Sequence, residues 1–259
     1  MLGSRPARAT SMRIALFADI HSNLDALTAC LTEAEAEGAE RYAFLGDLVG
    51  YGAEPGAVID VVAEHAARGA VVIRGNHDAA AVAGETDTMR DVAAAAIDWT
   101  RGQLDARQLA FLQGLPLTVR EGEVLYVHAS AEQPSQWIYV SDEYMAARSL
   151  AASGGARYVL SGHVHEPTLF YTSAAERPVP FTPVPGKAIP VPAHRRWLAI
   201  VGSVGQPRDH NTAASWAMLD LARHTLTFHR VPYDWRSAAA KIRAAGLPEF
   251  LAARIERGE

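Results

Sequence analysis

Five short apolar runs punctuate the first two thirds of the chain, and each ends at or just before a residue with an acidic, amide or imidazole side chain. They are residues 14–18 before Asp19, 42–45 before Gly46 and Asp47, 71–73 before Asn76, 124–127 running into His128, and 158–160 leading to His163 and His165. Their length and their β-branched or aromatic content predict buried strands rather than helices. Between the first runs the period changes: Leu24, Leu27 and Leu31 recur at helix spacing, with Ser22 or Asn23 as a cap and Gly38 as a stop. Val58, Val61, Val62 and His65 form a second such pattern that closes at Gly69. Strand, helix and strand in that order predict parallel neighbours. In alternating folds of this kind the ligand site lies beyond the carboxyl ends of the strands, and that is where all of these polar residues fall.

Further helices are expected over residues 89–101, 106–113 and 142–152. Residues 172–196 are rich in proline, show little periodicity, and read as a long surface loop or a broken hairpin. Beyond them, residues 198–201, 215–220 and 225–231 have strand character and are expected to complete a second sheet. Residues 235–259 carry one more helix, packed through Ile242, Phe250 and Leu251. No linker or repeat divides the chain, so a single domain is expected over 13–259 after a flexible tail of residues 1–12.

Composition narrows the function more than the fold. Of 259 residues, 49% are apolar and 20% charged, enough for a substantial core. A formal net charge of -5 argues against binding a nucleic-acid polymer, which needs a clustered basic face. No run approaches the roughly 20 apolar residues of a membrane span, and the first residues lack the apolar core of a secretory signal. The lone cysteine, Cys30, excludes an internal disulfide and reads as a buried helix thiol. A cytoplasmic protein acting on a small anionic molecule fits these features.

The polar residues at the strand ends carry the candidate chemistry. Asp19 and His21 stand two residues apart, so both side chains can point the same way; a helix cap by Asp19 explains the pair equally well. Asp47 adds a carboxylate with two oxygens, behind a glycine that permits a sharp turn. Asn76, His77 and Asp78 follow Gly75, and a turn held by Asx hydrogen bonds is the structural alternative. His128, taken alone, is more readily a satisfied core histidine. His163 and His165 put two imidazoles on one side of an extended segment behind Gly162. Each signal has its bland explanation; jointly, such coincidences are improbable.

In this order the residues resemble the calcineurin-like metallophosphoesterase superfamily, whose blocks are D-x-H, G-D, G-N-H-D or E, an isolated H, and G-H-x-H. The resemblance spans residues 13–231. Within it, Ser22-Asn-Leu-Asp-Ala-Leu27, Gly50-Tyr-Gly52 and Gly202-Ser-Val-Gly-Gln-Pro-Arg-Asp209 are similar to bacterial and archaeal members of the phosphodiesterase type. The late block there begins with Asn-Pro, where this chain has Ile200-Val201.

The resemblance implies an α/β fold, a β-sandwich of two mixed sheets flanked by helices, and two divalent metal ions. Asp19, His21 and His165 would hold the first metal, and Asn76, His128 and His163 the second, with Asp47 bridging. Nitrogen and oxygen ligands without thiolate suit manganese, iron, zinc or nickel, with manganese favoured. Two divalent ions against two carboxylates and a hydroxide leave the pocket positive by about one unit, which draws in an anionic phosphate ester. Hydrolysis by metal-activated hydroxide follows, with His77 protonating the leaving oxygen and Asp78 orienting its imidazole.

Arg208 is a candidate for phosphate contact and equally a structural residue. Ser203 is a second substrate-binding candidate, although it and Gln206 also serve simply to shape the turn, and Arg74 reads as a structural ion pair. Tyr51 and Trp137 are packing residues first and pocket-lining candidates second. The late block favours a phosphodiesterase on small nucleotide-like substrates over a phosphomonoesterase, a protein phosphatase or a dinucleoside tetraphosphatase. A non-catalytic protein-interaction scaffold of the same fold would be expected to have lost ligand positions, and here all are filled.

Overall fold

The computed structural model describes residues 12–86 and 89–259, so the tail expected over residues 1–12 lies, apart from Met12, outside the described residues. In chain order the strands are β1 (Arg13–Phe17), β2 (Arg41–Phe44), β3 (Val71–Val72), β4 (Thr118–Glu121), β5 (Val124–Val127), β6 (Tyr158–Ser161), β7 (Thr168–Thr172), β8 (Pro178–Phe181), β9 (Ala188–Pro190), β10 (Trp197–Ile200), β11 (Ala214–Asp220) and β12 (Thr225–Val231). The helices are α1 (Leu24–Ala36), α2 (Pro55–Ala67), α3 (Asn76–Ala83), α4 (Asp91–Gln103), α5 (Ala106–Gly114), α6 (Glu143–Ala152), α7 (Trp235–Ala244) and α8 (Glu249–Arg257).

Strand β1 shows why the apolar runs are continuous rather than alternating. Its even residues, Ile14 and Leu16, enter a cluster shared by both sheets, with Tyr126, Leu160, Ala199, Leu219 and Phe228. Ala15 and Phe17 face the other way, against Leu27 and Cys30 of α1 and Val58 and Val62 of α2. Side chains alternate across a strand, so one covered on both faces must be apolar throughout. The same division occurs in β6, where Tyr158 and Leu160 face the first sheet and Val159 packs with Leu150 of α6. Two sheets thus stack face to face with helices outside them.

The sheets run β3-β2-β1-β11-β12-β9 and β4-β5-β6-β10-β7-β8. In the first, β1, β2 and β3 are parallel, as expected from the helical crossovers, and the other half is antiparallel. In the second, β5, β6 and β10 are parallel and the outer strands antiparallel. The chain is therefore α/β with two mixed sheets flanked by helices.

Several boundaries differ from expectation. The late strands do not complete one sheet: β10 inserts between β6 and β7, whereas β11 and β12 extend the first sheet from the free edge of β1. Strand character in sequence carries no partner, and an unpaired edge beside β1 is a demand that only the assembled sheet expresses. The proline-rich stretch 172–196 is a hairpin of β7 and β8 followed by β9. Pro178, Pro180 and Pro190 sit on the outermost strands of the two sheets, where a missing N–H is tolerated. The last helix is two, broken at Gly246, whose φ is +69°, before Pro248.

Asn23, not Ser22, caps α1, accepting the Ala26 N–H at 3.1 Å. Its amide also donates to the Gly205 carbonyl at 3.0 Å and to the Tyr233 hydroxyl at 3.1 Å, tying the β1–α1 turn to segments nearly two hundred residues later. Phe17 stacks with Phe44 at 5.4 Å and Trp216 at 5.7 Å, fully buried at the base of the Asp19 turn. Phe17→Ala is expected to lower unfolding free energy by about 3–5 kcal/mol, read from denaturant melts followed by tryptophan fluorescence.

Candidate metal centre

All the strand-end residues singled out in the sequence come together at one end of the sandwich. Asp19 and His21 leave β1, Asp47 leaves β2, and Asn76 and His77 open α3 after β3. From the second sheet, His128 follows β5 and His163 and His165 follow β6. Backbone bonds lace these turns together: Asp19 N–H donates to the Gly46 carbonyl at 3.1 Å, and His21 N–H to that of Asp47 at 3.0 Å. Asp19, His21, Asp47, His163 and His165 all have φ between 49° and 69°. For residues with a Cβ this left-handed conformation is sparsely populated and costs roughly 1–3 kcal/mol each, so the surrounding packing must impose it.

The imidazoles are turned inward by their backs. Nδ1 of His21, His128 and His165 lies 3.1, 2.7 and 2.7 Å from the carbonyls of Val49, Leu45 and Gln206. A carbonyl only accepts, so each Nδ1 carries a hydrogen and each Nε2 is turned to the centre, where its lone pair would face a bound cation. Yet Nε2 of His21 and of His165 are 3.3 Å apart, and Nε2 of His128 is 3.2 Å from both Nδ1 of His163 and Oδ1 of Asn76. One oxygen of Asp47 lies 3.7 Å from His21 Nε2 and 3.3 Å from His128 Nε2, between the two groups. Asp19, His21 and His165 form one set, and Asp47, His128 and His163 another, whose donor atoms lie within 4.8 Å of one another; His21, Asp47 and His77 form a third. Asp19 Oδ1 and His163 Nε2 are buried without a hydrogen-bond partner. Lone pairs facing one another and orphaned buried donors fit divalent cations, and this nitrogen and oxygen set suits the harder and borderline ions.

The electrostatics state the same demand for positive charge. Burial, and secondarily Asp47, pushes the Asp19 carboxyl up to about 7 against the pull of His128. Burial works against ionised Asp47 too, but His128, His77 and His21 around it hold its carboxyl well below the usual range. Burial likewise disfavours a charged His128, and Asp47 and Asp19 nevertheless push it up to about 9. Burial keeps His21 and His165 neutral, with His77 adding to the effect on the first and Arg208 on the second. His163 falls to about 3 for the same reason, aided by His128.

Three expectations about neighbouring residues need correction. Asp78 does not orient His77: its Oδ1 accepts the N–H groups of Leu48 and Val49 at 2.8 and 3.2 Å, and its Oδ2 that of Gly75 at 2.9 Å. It clamps the turn after Asp47, and His77 Nδ1 has no partner. The His77 ring is instead held by packing, 4.4 Å from Tyr51 and 4.8 Å from His21, in a space that a side chain on Gly50 would fill. Ser203 does not face the pocket either. Fully buried, it donates to the Asp19 carbonyl at 2.7 Å and accepts the Gln206 N–H at 2.8 Å. Among the described residues Arg74 makes no ion pair; it donates to the Gln113 and Leu115 carbonyls. Arg208 does stand at the centre, close enough to influence Asp19, His21, His77 and His165.

Aromatic rings that the sequence could not place border the same centre. Tyr51 packs on His21 at 4.5 Å, Trp137 meets His128 edge-on at 6.0 Å, and Tyr139, half exposed, stacks on His163 at 4.0 Å. Tyr139 was missed because a lone tyrosine in a polar loop carries no periodic signal; its spacing from the left-handed Trp137 is set by the folded loop.

Two helix-flanked mixed sheets with a buried histidine and carboxylate centre at their carboxyl ends define a metallophosphoesterase. The chain belongs to the calcineurin-like phosphoesterase family, whose model matches residues 12–167. It is 33% identical over 250 residues to an uncharacterized protein of Methanocaldococcus jannaschii, covering 95% of this chain and 98% of that one. The structure is similar to a metallophosphoesterase from Sphaerobacter thermophilus at 34% identity, with a TM-score of 0.86 over 96% of this chain and 100% of the other. It also shares its fold with a hypothetical protein from Pyrococcus horikoshii OT3, at 22% identity and a TM-score of 0.77 over 96% and 99% of the two chains.

At Gly75 the centre leaves no room for a side chain. A Cβ there would lie 2.1 Å from Asp47 Oδ1 and 2.3 Å from the Asp47 backbone nitrogen. Gly75→Ala is expected to displace Asp47 and reduce bound metal to less than half of the wild-type stoichiometry, measured by elemental analysis on protein whose circular dichroism is unchanged.

Proposed function

We propose that this chain is a two-metal phosphodiesterase acting on small nucleotide-like substrates. The observation that carries the hydrolytic part is the set of imidazoles whose Nδ1 atoms are anchored on carbonyls while their Nε2 atoms turn to the buried carboxylates, those of His21 and His128 to Asp47 and that of His165 to Asp19. In this reading Asp19, His21 and His165 hold one cation, Asn76, His128 and His163 the other, and Asp47 spans both. When bound, two divalent cations, with manganese favoured, neutralise phosphoryl oxygens and acidify the attacking water.

The protein's own groups account for the remaining work. Asp47 and the carbonyls of Val49, Leu45 and Gln206 behind the imidazoles fix the donor directions, so little reorganisation is needed as charge develops. His77, buried beside Asp47 with Nδ1 free of other partners, supplies a proton to the departing oxygen. Support for a diester comes from the flanks. Tyr51 lies against one imidazole group and Tyr139 and Trp137 against the other, so apolar faces are available to both organic arms of a diester.

With added manganese, bis-p-nitrophenyl phosphate should be hydrolysed with a higher kcat/KM than p-nitrophenyl phosphate; a large preference for the monoester would sink the diester assignment and leave a phosphomonoesterase. His77→Ala should lower kcat by about 10²–10⁴-fold on an ester with a poor leaving group while retaining most of its metal. Asp47→Ala should instead lose metal, by elemental analysis. Equal turnover of His77→Ala and wild type on that ester removes His77 from the chemistry.

A further inference from the structure

Around Tyr51 stands a group of cations that the hydrolytic chemistry does not use. Arg208 comes from the turn after β10, Arg254 from α8, and Arg90 from the residue preceding α4. The Tyr51 phenol lies within electrostatic reach of Arg208 and Arg254, and Arg254 within reach of Arg208, Tyr51 and Arg90. Tyr51 itself packs against His21 and His77, so this basic group adjoins the hydrolytic centre.

The fold holds the arginines there deliberately enough to be costly. Leu251, Ala252 and Ile255 of α8 share an apolar cluster with Ala96 of α4 and with Tyr51 and Ala53. His210 N–H donates to the Gly258 carbonyl at 2.8 Å, fastening the Arg208 segment to the end of α8. Among the described residues, neither Arg208, Arg254 nor Arg90 forms an ion pair with an Asp or Glu side chain. Asp209, next to Arg208 in sequence, is engaged by Arg230.

Arg254 spends its Nε on a main-chain oxygen of Glu259 at 2.6 Å, and Glu259 also offsets its charge at longer range. Arg208 Nη2 donates to Gln206 Oε1 at 3.2 Å, while its Nε is buried with no partner. The Gln206 amide nitrogen, on a residue only 1% exposed, is also unpartnered. Half-buried like charges repel and resist desolvation, and an anion between them relieves both costs. Burial first, then Arg208, lowers the proton affinity of Arg254, in keeping with an anion-seeking recess. Arg208, Gln206 and Arg254 lie beyond the matched family segment, which ends at residue 167, whereas Tyr51 lies within it.

We propose that Arg254, with Arg208 and the Tyr51 hydroxyl, forms a second anion subsite that binds a phosphoryl group of the substrate other than the one hydrolysed. Preferred substrates therefore carry two phosphate groups. This rests on the hydrolytic reading above for the placement of the first phosphate, and names the class of substrate that the centre receives.

Two thymidine diesters with the same leaving group test it: thymidine 5′-(p-nitrophenyl phosphate) with and without a 3′-phosphate. The manganese-loaded wild type should show a KM about tenfold or more lower for the 3′-phosphorylated ester, the scale of one charge-assisted contact. Arg254→Gln should bring that ratio to within about twofold, and Arg254→Lys should restore part of it, with thermal melts reporting that both variants are folded. A ratio near unity in the wild type, or one that survives Arg254→Gln, overturns the subsite. If neither ester turns over, the hydrolytic reading fails by itself. Calorimetric affinities of thymidine 3′,5′-bisphosphate and thymidine 5′-monophosphate then decide the subsite alone: a bisphosphate preference lost in Arg254→Gln upholds it, and equal affinities refute it.

Discussion

The carboxyl ends of two sheets meet at a seam where buried charge must be satisfied without water. His128, at the end of a second-sheet strand, donates to the carbonyl of Leu45 at the end of a first-sheet strand. His163 N–H, from the second sheet, reaches the Asp19 carboxylate of the first at 2.8 Å. These cross-sheet bonds are made by the same residues that form the candidate metal centre. The centre is therefore also the joint between the layers, and the stacking of the sheets and the direction of its donors are one arrangement. A carboxylate taken out of water costs several kcal/mol unless it is paired or hydrogen-bonded. Here the opposing charge is concentrated into a space a few ångströms across, which is why burial and partner charge pull the titrations of Asp19, Asp47 and His128 so far apart.

Around the seam the backbone is held in conformations that it would not adopt alone. Left-handed residues at Asp19, His21, Asp47, His163 and His165 turn the chain at the strand ends, so these side chains are aimed by the turns rather than by the regular alternation of a strand. Asp78 contributes by gathering three N–H groups from two turns, and burial with Asp47 nearby raises its carboxyl to about 7. Its contribution is to hold Asp47 and the following turn in place, one step removed from the His77 imidazole. Preorganisation of this kind is what an electrostatic centre requires, because donors that need not move lose nothing when charge develops.

The later part of the chain shapes what surrounds that joint. The turn from Gly202 to Asp209 lies across the Asp19 turn, since Val204 and Gly205 N–H groups donate to the Ala18 and Asp19 carbonyls at 2.9 Å. Helices α7 and α8 then close on α1 and α4, with Lys241 reaching Asp25 and Glu54. The family's shared segment thus supplies most of the charged centre, and the late turn and terminal helices pack around it.

By itself the sequence determined the strand ends and the residues on them. Apolar runs followed by Asp, Asn or His, with glycine ahead of Asp47, Asn76 and His163, are local features, since a strand covered on both faces and a turn without room for a Cβ constrain their own residues. The tertiary structure alone decided which strands pair and what the polar neighbours touch. β10 and β11 carry the same strand character yet join different sheets, because edge partners are chosen across space rather than along the chain. Asp78 and Ser203 looked like active-site groups because they are polar and adjacent to the motifs. Their hydrogen bonds go to backbone N–H and carbonyl groups brought near only by folding, while Tyr139 and Arg254 reach the centre's edge from segments with no motif of their own.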